Sequence, residues 1–371
     1  MYRSYGDENT DWANIAAYTM LHREPNMNLE HKWEYEDGLM LNGMYDVYKV
    51  TKKSEYLHYI QDNINRLVDT KGNIYNYKHE DFNLDNINNG KILLDLYAET
   101  RNERYKLAAD KLYNQLLDQP KTKEGSFWHK KIYPNQVWLD GIYMGSVFYA
   151  QYQKMFDIKN NFSDVEEQFL LAYKVTLDSK TGLCYHAYDE SKKQSWANNI
   201  TGQSKHFWLR SLGWFIMAMV DVQEFLPESI NKNEINKNLN NLLKSIQKYA
   251  DSKSNLWYQI PDESDRPMNY LEASGSLMIL NAIAKSIRLK YISVSTWSPI
   301  LEKGYKNAIK QFVSLTNEGF VNVNKIVEVG GLGGSNNRDG SFAYYMSEPV
   351  VANDHKGFGP FLMLTSEMKQ R

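Results

Sequence analysis

Twelve stretches of this chain place apolar residues at a spacing near 3.6, and almost none alternates as a half-buried strand would. They predict helices over 11–22, 36–50, 54–69, 85–99, 102–117, 137–156, 163–178, 206–225, 233–250, 269–289, 295–316 and 350–368. A second pattern groups them. A small residue followed by apolar and aromatic residues recurs at Gly72-Asn73-Ile74-Tyr75, Gly125-Ser126-Phe127-Trp128, Gly182-Leu183-Cys184-Tyr185, Asn255-Leu256-Trp257-Tyr258 and Gly319-Phe320-Val321. A polar loop follows each, then a helix opening near a charged residue: Asp85, Asp140, Arg210, Glu272 and Asp354, with Glu36-Asp37 beginning a sixth. Each unit therefore reads as inner helix, outer helix and short extended return. Six such hairpins closed into a ring give an all-α (α/α)6 barrel with short extended segments in the loops. Inner helices of a ring are buried on all sides, which suits Leu139 to Phe148 and Leu271 to Ile283. An open helical solenoid is the alternative, but irregular units and long aromatic loops favour closure. No Pro/Ser-rich linker interrupts the 371 residues, so 1–371 is expected to form one domain. All inner helices then start at one end of the ring, where their loops converge on one cleft.

Composition removes several function classes. A net charge of -2 gives no broad pull toward nucleic acid or an anionic membrane. Mean hydropathy is -0.60, and no apolar run reaches membrane-spanning length. The start, Met1 to Glu8, is polar and lacks a signal-peptide core, so a cytoplasmic protein is expected, or a periplasmic one if a leader was removed. One cysteine, Cys184, excludes an internal disulfide. No metal-ligand spacing and no phosphate-cradling loop occur, so neither metal nor cofactor is expected. Gly330-Gly331-Leu332-Gly333-Gly334-Ser335 lacks the phosphate-loop lysine and reads as a flexible rim loop that continues through Arg338 to Pro349. Asn231 to Lys248, dense in charge, reads as a solvated outer helix. The 27 tyrosines and 9 tryptophans fill a core or stack on sugar rings.

The stretch from Phe127 to Gly141 concentrates the chemistry. Asp140 sits where the apolar run Ile142 to Phe148 begins, and Trp128, Trp138, Tyr133 and Tyr143 are placed to wall it from water. Desolvation would raise its pKa, as suits a proton donor, while the helix dipole would lower it. A plain helix cap is the competing reading. Asp85, in an Asn-rich stretch, has the same two readings; two carboxylates at one mouth would push their pKa values apart. His129-Lys130 and Tyr185-His186 occupy equivalent places in adjacent units. Arg210 and Trp214, four apart, share a helix face and form either a carboxylate clamp or a structural pair.

Several of these motifs resemble one known family. Gln136-Val137-Trp138-Leu139-Asp140-Gly141-Ile142-Tyr143-Met144-Gly145 is similar to the signature of the unsaturated rhamnogalacturonyl hydrolases, glycoside hydrolase family 105. So are Phe127 to Lys130, Tyr185 to Ala187, Trp196 to Asn198, Phe207 to Trp214, Tyr270 to Ser276, Tyr344 to Pro349 and Asn353 to Gly357. The resemblance spans about Trp33 to about Phe361. It implies a hydrolase acting on lyase-generated oligosaccharides, releasing the 4,5-unsaturated uronic acid from their non-reducing end. In that chemistry Asp140 protonates C4 and water adds at C5. The resemblance also makes Asp85 the second acid, puts Arg210 and Trp214 at the uronate carboxylate, and places Tyr35, His129, Lys130, His186 and Trp208 around the pocket. Unsaturated galacturonyl-rhamnose is the default substrate. A glucuronyl hydrolase of ulvan, arabinogalactan or glycosaminoglycan fragments is the alternative, and a non-catalytic carbohydrate-binding barrel is the reading from another class. His355 and Lys356 are expected in a variable loop beside the leaving sugar. Gln203 to His206 and Lys290 to Ser298 depart from the family pattern.

Overall fold

A computed structural model describes residues 6–158, 162–334 and 338–371. The first five residues of the polar N-terminal stretch and Ser335 of the glycine-rich loop therefore lie outside the described residues. The chain begins with α1 (Trp12–Arg23), followed by the hairpin α2 (Tyr35–Thr51) and α3 (Ser54–Asn65). The next hairpin is α4 (Gly90–Thr100) and α5 (Glu103–Asp118). Strand β1 (Gln136–Trp138) leads into α6 (Leu139–Gly141), which widens into a π turn over Ile142–Ser146 and resumes as α7 (Val147–Met155), with α8 (Phe162–Thr176) returning. After β2 (Ala187–Asp189) come α9 (Leu209–Val222) with α10 (Ile230–Gln247), then α11 (Ala273–Arg288) with α12 (Val294–Phe312). Strands β3 (Val313–Leu315), β4 (Val321–Val323) and β5 (Ile326–Val327), the short α13 (Phe342–Ser347), β6 (Val350–Val351) and α14 (His355–Lys369) complete the order.

Helices α2, α4, α6–α7, α9, α11 and α14 touch in sequence, and α14 closes on α2. Outside them lie α3, α5, α8, α10, α12 and, closing the circle from the N-terminus, α1. This is the (α/α)6 barrel. Every residue of α11 from Ala273 to Ala284 is buried, as an inner position requires. Each of its large apolar side chains contributes about 1.5–3 kcal/mol on burial.

The recurrent motif has a structural cause. Gly72, Gly125, Gly182, Asn255 and Gly319 all take positive φ, where glycine and asparagine are cheapest. Each sits in a tight return closed by the same kind of backbone bond: Asp69 N to Asn73 O, Thr122 N to Ser126 O, Asp178 N to Leu183 O, Asp251 N to Leu256 O and Thr316 N to Phe320 O. The motif is the turn that sends the chain from an outer helix back to the mouth.

Helix starts are where the structure corrects the periodicity. The helix expected from 137 begins at Leu139, because Gln136–Trp138 pairs antiparallel with Ala187–Asp189. The helix expected from 85 begins at Gly90, and Leu84–Ile87 forms a 3-10 turn instead. The asparagines explain it. Asn83 accepts from Asp85 N, while Asn88 and Asn89 donate to the carbonyls of Tyr35 and Glu34, so their side chains compete with helical bonding. The helix expected from 350 starts at His355, since Val350–Val351 pairs with β5.

Candidate active site

Backbone bonds stitch neighbouring loops into a belt at the end where the inner helices begin. Leu84 N donates to His129 O, and His129 N donates to Gln136 O. The β1–β2 ladder then sets Trp138 opposite Ala187, and Leu139 N extends it by donating to His186 O. Asp85, His129, Lys130, Asp140 and His186 are thereby brought to one place from two adjacent units of the ring. Further round, Leu209 N donates to Gln259 O and Ala273 N to Lys325 O. Trp138, Trp196, Trp208, Phe342, Tyr344 and Tyr345 belong to a small apolar cluster at this end, distinct from the main core.

The two carboxylates there differ. Asp85 Oδ2 lies 2.7 Å from Lys130 Nζ, and Oδ1 lies 3.4 Å from His129 Nε2. Burial acts to raise the Asp85 pKa, but the Lys130 and His129 charges and the Lys130 hydrogen bond outweigh it and hold it below the usual value. The lysine answers in the opposite direction: burial would lower it, but Asp85 raises it. His129 is pushed down to about 4, chiefly by burial, and is therefore neutral at neutral pH. Its ring stacks on Trp138 at 4.9 Å, and Trp138 stacks on Tyr133 at 5.2 Å. On the other side it presses on Gly141, where a Cβ would come within 2.7 Å of His129 Nδ1 and 3.0 Å of Leu84 Cδ1. Glycine after Asp140 is what lets the imidazole reach Asp85.

Asp140 has another environment. Its side chain is 15% exposed, so it does not face bulk solvent, and Oδ2 is shut off from water. That oxygen lies 3.4 Å from His186 Nε2 without a hydrogen bond forming, and both atoms are otherwise without a partner among the described residues. His186 is fully buried and held at Nδ1 by the Tyr345 hydroxyl at 2.8 Å. No lysine or arginine among the described residues pairs with Asp140. The helix-cap reading fails for both acids. Trp138 occupies the N-cap of α6 with no side-chain bond, and Asp85 sits inside the 3-10 turn.

Arg210 is 1% exposed. Its Nη1 donates to Ser274 Oγ at 3.3 Å and Val327 O at 2.5 Å, and Nη2 donates to Glu328 O at 3.2 Å. The guanidinium lies 4.8 Å over the Trp208 ring, and Trp208 Nε1 donates to Gln259 Oε1 at 3.2 Å. Trp214, 1% exposed, packs instead on Tyr143 at 4.8 Å and edge-on to Tyr35 at 6.3 Å. Burial raises the Tyr35 pKa well above its usual value, and its hydroxyl also feels Glu36, Asp85, Arg210 and Asp140. The guanidinium and both acids thus share one mouth. The start of the glycine-rich loop packs here as well: a Cβ at Gly330 would meet the Trp208 ring at 2.3 Å.

Other charged residues near the inner-helix starts hold the fold together. Glu272 caps α11, accepting from Ser274 N and Gly275 N. Asp354 caps α14 and pairs with Lys356 at 3.0 Å. His355 and Lys356 are not in a free loop. They open α14, with His355 between Glu24 at 2.9 Å and Asp37 at 3.2 Å, and Lys356 on Glu36 at 2.6 Å. Tyr345 and Gln259 are contacts that sequence reasoning missed. Tyr345 lay within a recognised motif, but nothing linked it to His186. No group of three or more His, Cys, Asp or Glu is placed to hold a metal ion among the described residues, and no helix among them is long and apolar enough to cross a membrane.

Comparison with known proteins gives consistent matches. The model of Glycosyl Hydrolase Family 88 matches residues 10–371. A solved family 105 glycoside hydrolase from C. acetobutylicum is 44% identical with a TM-score of 0.95, over 98% of this chain and 100% of that one. Protein Atu3128 of Agrobacterium fabrum is 34% identical over 229 residues, 60% of this chain and 97% of its own length. The unsaturated rhamnogalacturonyl hydrolase YesR of Bacillus subtilis is 24% identical over 276 residues, 72% of this chain and 75% of its own length.

Proposed function

We propose, since the chain belongs to Glycosyl Hydrolase Family 88, that it works by hydrating the C4=C5 double bond of a terminal unsaturated uronic acid, with Asp140 supplying the proton. It is an unsaturated uronyl hydrolase, a glycosidase whose substrate is an oligosaccharide. Asp140 gives its proton to C4, and positive charge develops across C5 and the ring oxygen. Water adds at C5 and returns a proton to the same carboxylate. The C5 hemiketal then opens to a ketone, C1 becomes a hemiacetal, and its collapse expels the next sugar. The anomeric carbon is never attacked, so the separation rule for paired glycosidase carboxylates does not govern this site.

The observation that carries the assignment is the asymmetry of the two acids. Asp85, paired with Lys130 and lowered in pKa, stays ionised and accepts sugar hydroxyls. Asp140 lies beside His186, and no lysine or arginine among the described residues pairs with it, which suits it to the proton-delivering role. Arg210 spends three of its five N–H donors on the protein, leaving about two for the uronate carboxylate. Tyr35, His129, Lys130, His186 and Trp208 line the pocket, and Trp214 backs Tyr35. The leaving sugar is rhamnose on this reading, supported by the name of the Bacillus subtilis relative.

Lyase-generated oligosaccharides absorb in the ultraviolet through their conjugated double bond. The wild type should bleach that absorbance. Asp140→Asn, which keeps the shape, should bind the sugar yet leave the absorbance intact. An Asp140→Asn variant as active as wild type would remove the assignment.

A further inference from the structure

Lys91 is a buried cation that the hydrolytic chemistry leaves unused. It lies in the first turn of α4 and is 6% exposed. A lysine that only balanced charge would sit on a carboxylate, but none among the described residues lies within ion-pair distance of this one. Burial pushes its pKa down to about 7, while Asp221 and Asp95 favour the charge from further away and Lys285 opposes it. Its Nζ holds a single residue instead. It lies 3.3 Å over the Tyr143 ring and donates to Tyr143 O at 3.2 Å. An ammonium desolvated on an aromatic face gains about 2 kcal/mol. A carbonyl oxygen has two lone pairs, so it can take this donor beside a helical one.

Tyr143 follows Asp140 closely in the chain and lies inside the π turn Ile142–Ser146. A π turn takes an extra residue into an α-helix, so it sets the rotation of α6 against α7. Asp140 is in α6, and the direction of its carboxyl depends on how the wide turn is held. Among the described residues, Lys91 makes the one side-chain hydrogen bond to the backbone of that turn. The same lysine is tied to the rest of the mouth. Lys91 N donates to Asn88 O, Asn88 N donates to Asp85 O, and Asn88 Nδ2 donates to Tyr35 O at 2.8 Å. We propose that Lys91 is a positioning residue for the hydrolysis: reaching from the neighbouring inner helix, it clamps Tyr143 by ring and carbonyl, fixes the π turn and so aims the Asp140 carboxyl at C4. The inference rests on Asp140 being the proton donor.

Steady-state kinetics of the full chain on the ultraviolet-absorbing disaccharide test this. Sites are counted by calorimetric titration with saturated galacturonyl-rhamnose, so that unfolded protein does not pass for a slower enzyme. Lys91→Met should lower kcat per site by about ten- to a hundredfold, with KM and the affinity for the saturated sugar changed less than about twofold. Lys91→Gln keeps an N–H donor but not the charge, so its kcat should fall between wild type and Lys91→Met, and it decides alone if the methionine variant does not fold. Lys49→Met removes another cation that lines the far end of the barrel with Lys91 but does not touch Tyr143, and it should keep the wild-type kcat. Wild-type kcat per site in the folded Lys91 variants, a raised KM with kcat unchanged, or an equal loss in Lys49→Met would overturn the proposal. An active Asp140→Asn variant would overturn the reading beneath it instead.

Discussion

Replacing Lys130 by methionine removes the ammonium from Asp85 and keeps most of the stem. The wild-type pair spans 2.7 Å between side chains 22% and 15% exposed. Without it, burial, the largest influence on Asp85, is opposed by His129 alone, so the carboxyl pKa rises instead of falling. Stranding one member of a fully buried pair costs ~3–5 kcal/mol. Residual solvent at both groups reduces this to about 2–3 kcal/mol. The sign with pH follows by linkage. Wild-type Asp85 has a folded pKa below the unfolded one, so its contribution is present above about pH 4 and lost as pH falls through the folded value. In the variant the order reverses, and the carboxylate costs stability until acid protonates it. Urea melts should show a large deficit at pH 7 and a smaller one at pH 4. The acidic limb of kcat/KM should move upward as well, because Asp85 no longer stays ionised. An equal deficit at both pH values with an unmoved acidic limb would refute the reasoning.

Gly141→Ala should lower activity and destabilise by about 1–3 kcal/mol, read by melting, because its Cβ displaces His129 and Leu84 where alanine would ordinarily favour a helix. Tyr345→Phe releases His186 Nδ1 and should cut kcat by about tenfold, the worth of one buried hydrogen bond, with KM little changed in steady-state kinetics. His355 is raised to about 10: burial alone would lower it, but Asp37 and Glu24 hold the proton. That contribution is complete below about pH 6.5 and lost as pH rises through the folded value. His355→Gln should therefore lower the melting temperature most near pH 6 and least near pH 10.

The ring was legible because its logic is local. Helical spacing and a turn residue at positive φ recur with each unit, and each of the five quoted motifs marks a real return. The catalytic mouth was legible in residue type but not in partnership. Nothing near Val137 signals that it faces Tyr188 across a ladder, so the strand before Asp140 was absorbed into helical periodicity. Arg210 and Trp214 do share a helix, yet the guanidinium's partners come from Val327 and Glu328, over a hundred residues away. His186 and Tyr345 meet across a similar distance. His355 and Lys356 looked available because their counter-charges, Glu24, Asp37 and Glu36, lie at the other end of the chain. Such pairings are set by ring closure, and no window of sequence contains them.

The most direct measurement is turnover of an unsaturated galacturonyl-rhamnose disaccharide in deuterium oxide, with the fresh uronate product followed by NMR. Proton delivery from a fixed Asp140 predicts one deuterium at C4, on a single face, appearing at the rate of rhamnose release. Release of rhamnose with the C4=C5 bond still intact, or deuterium spread over both faces of C4, would contradict it.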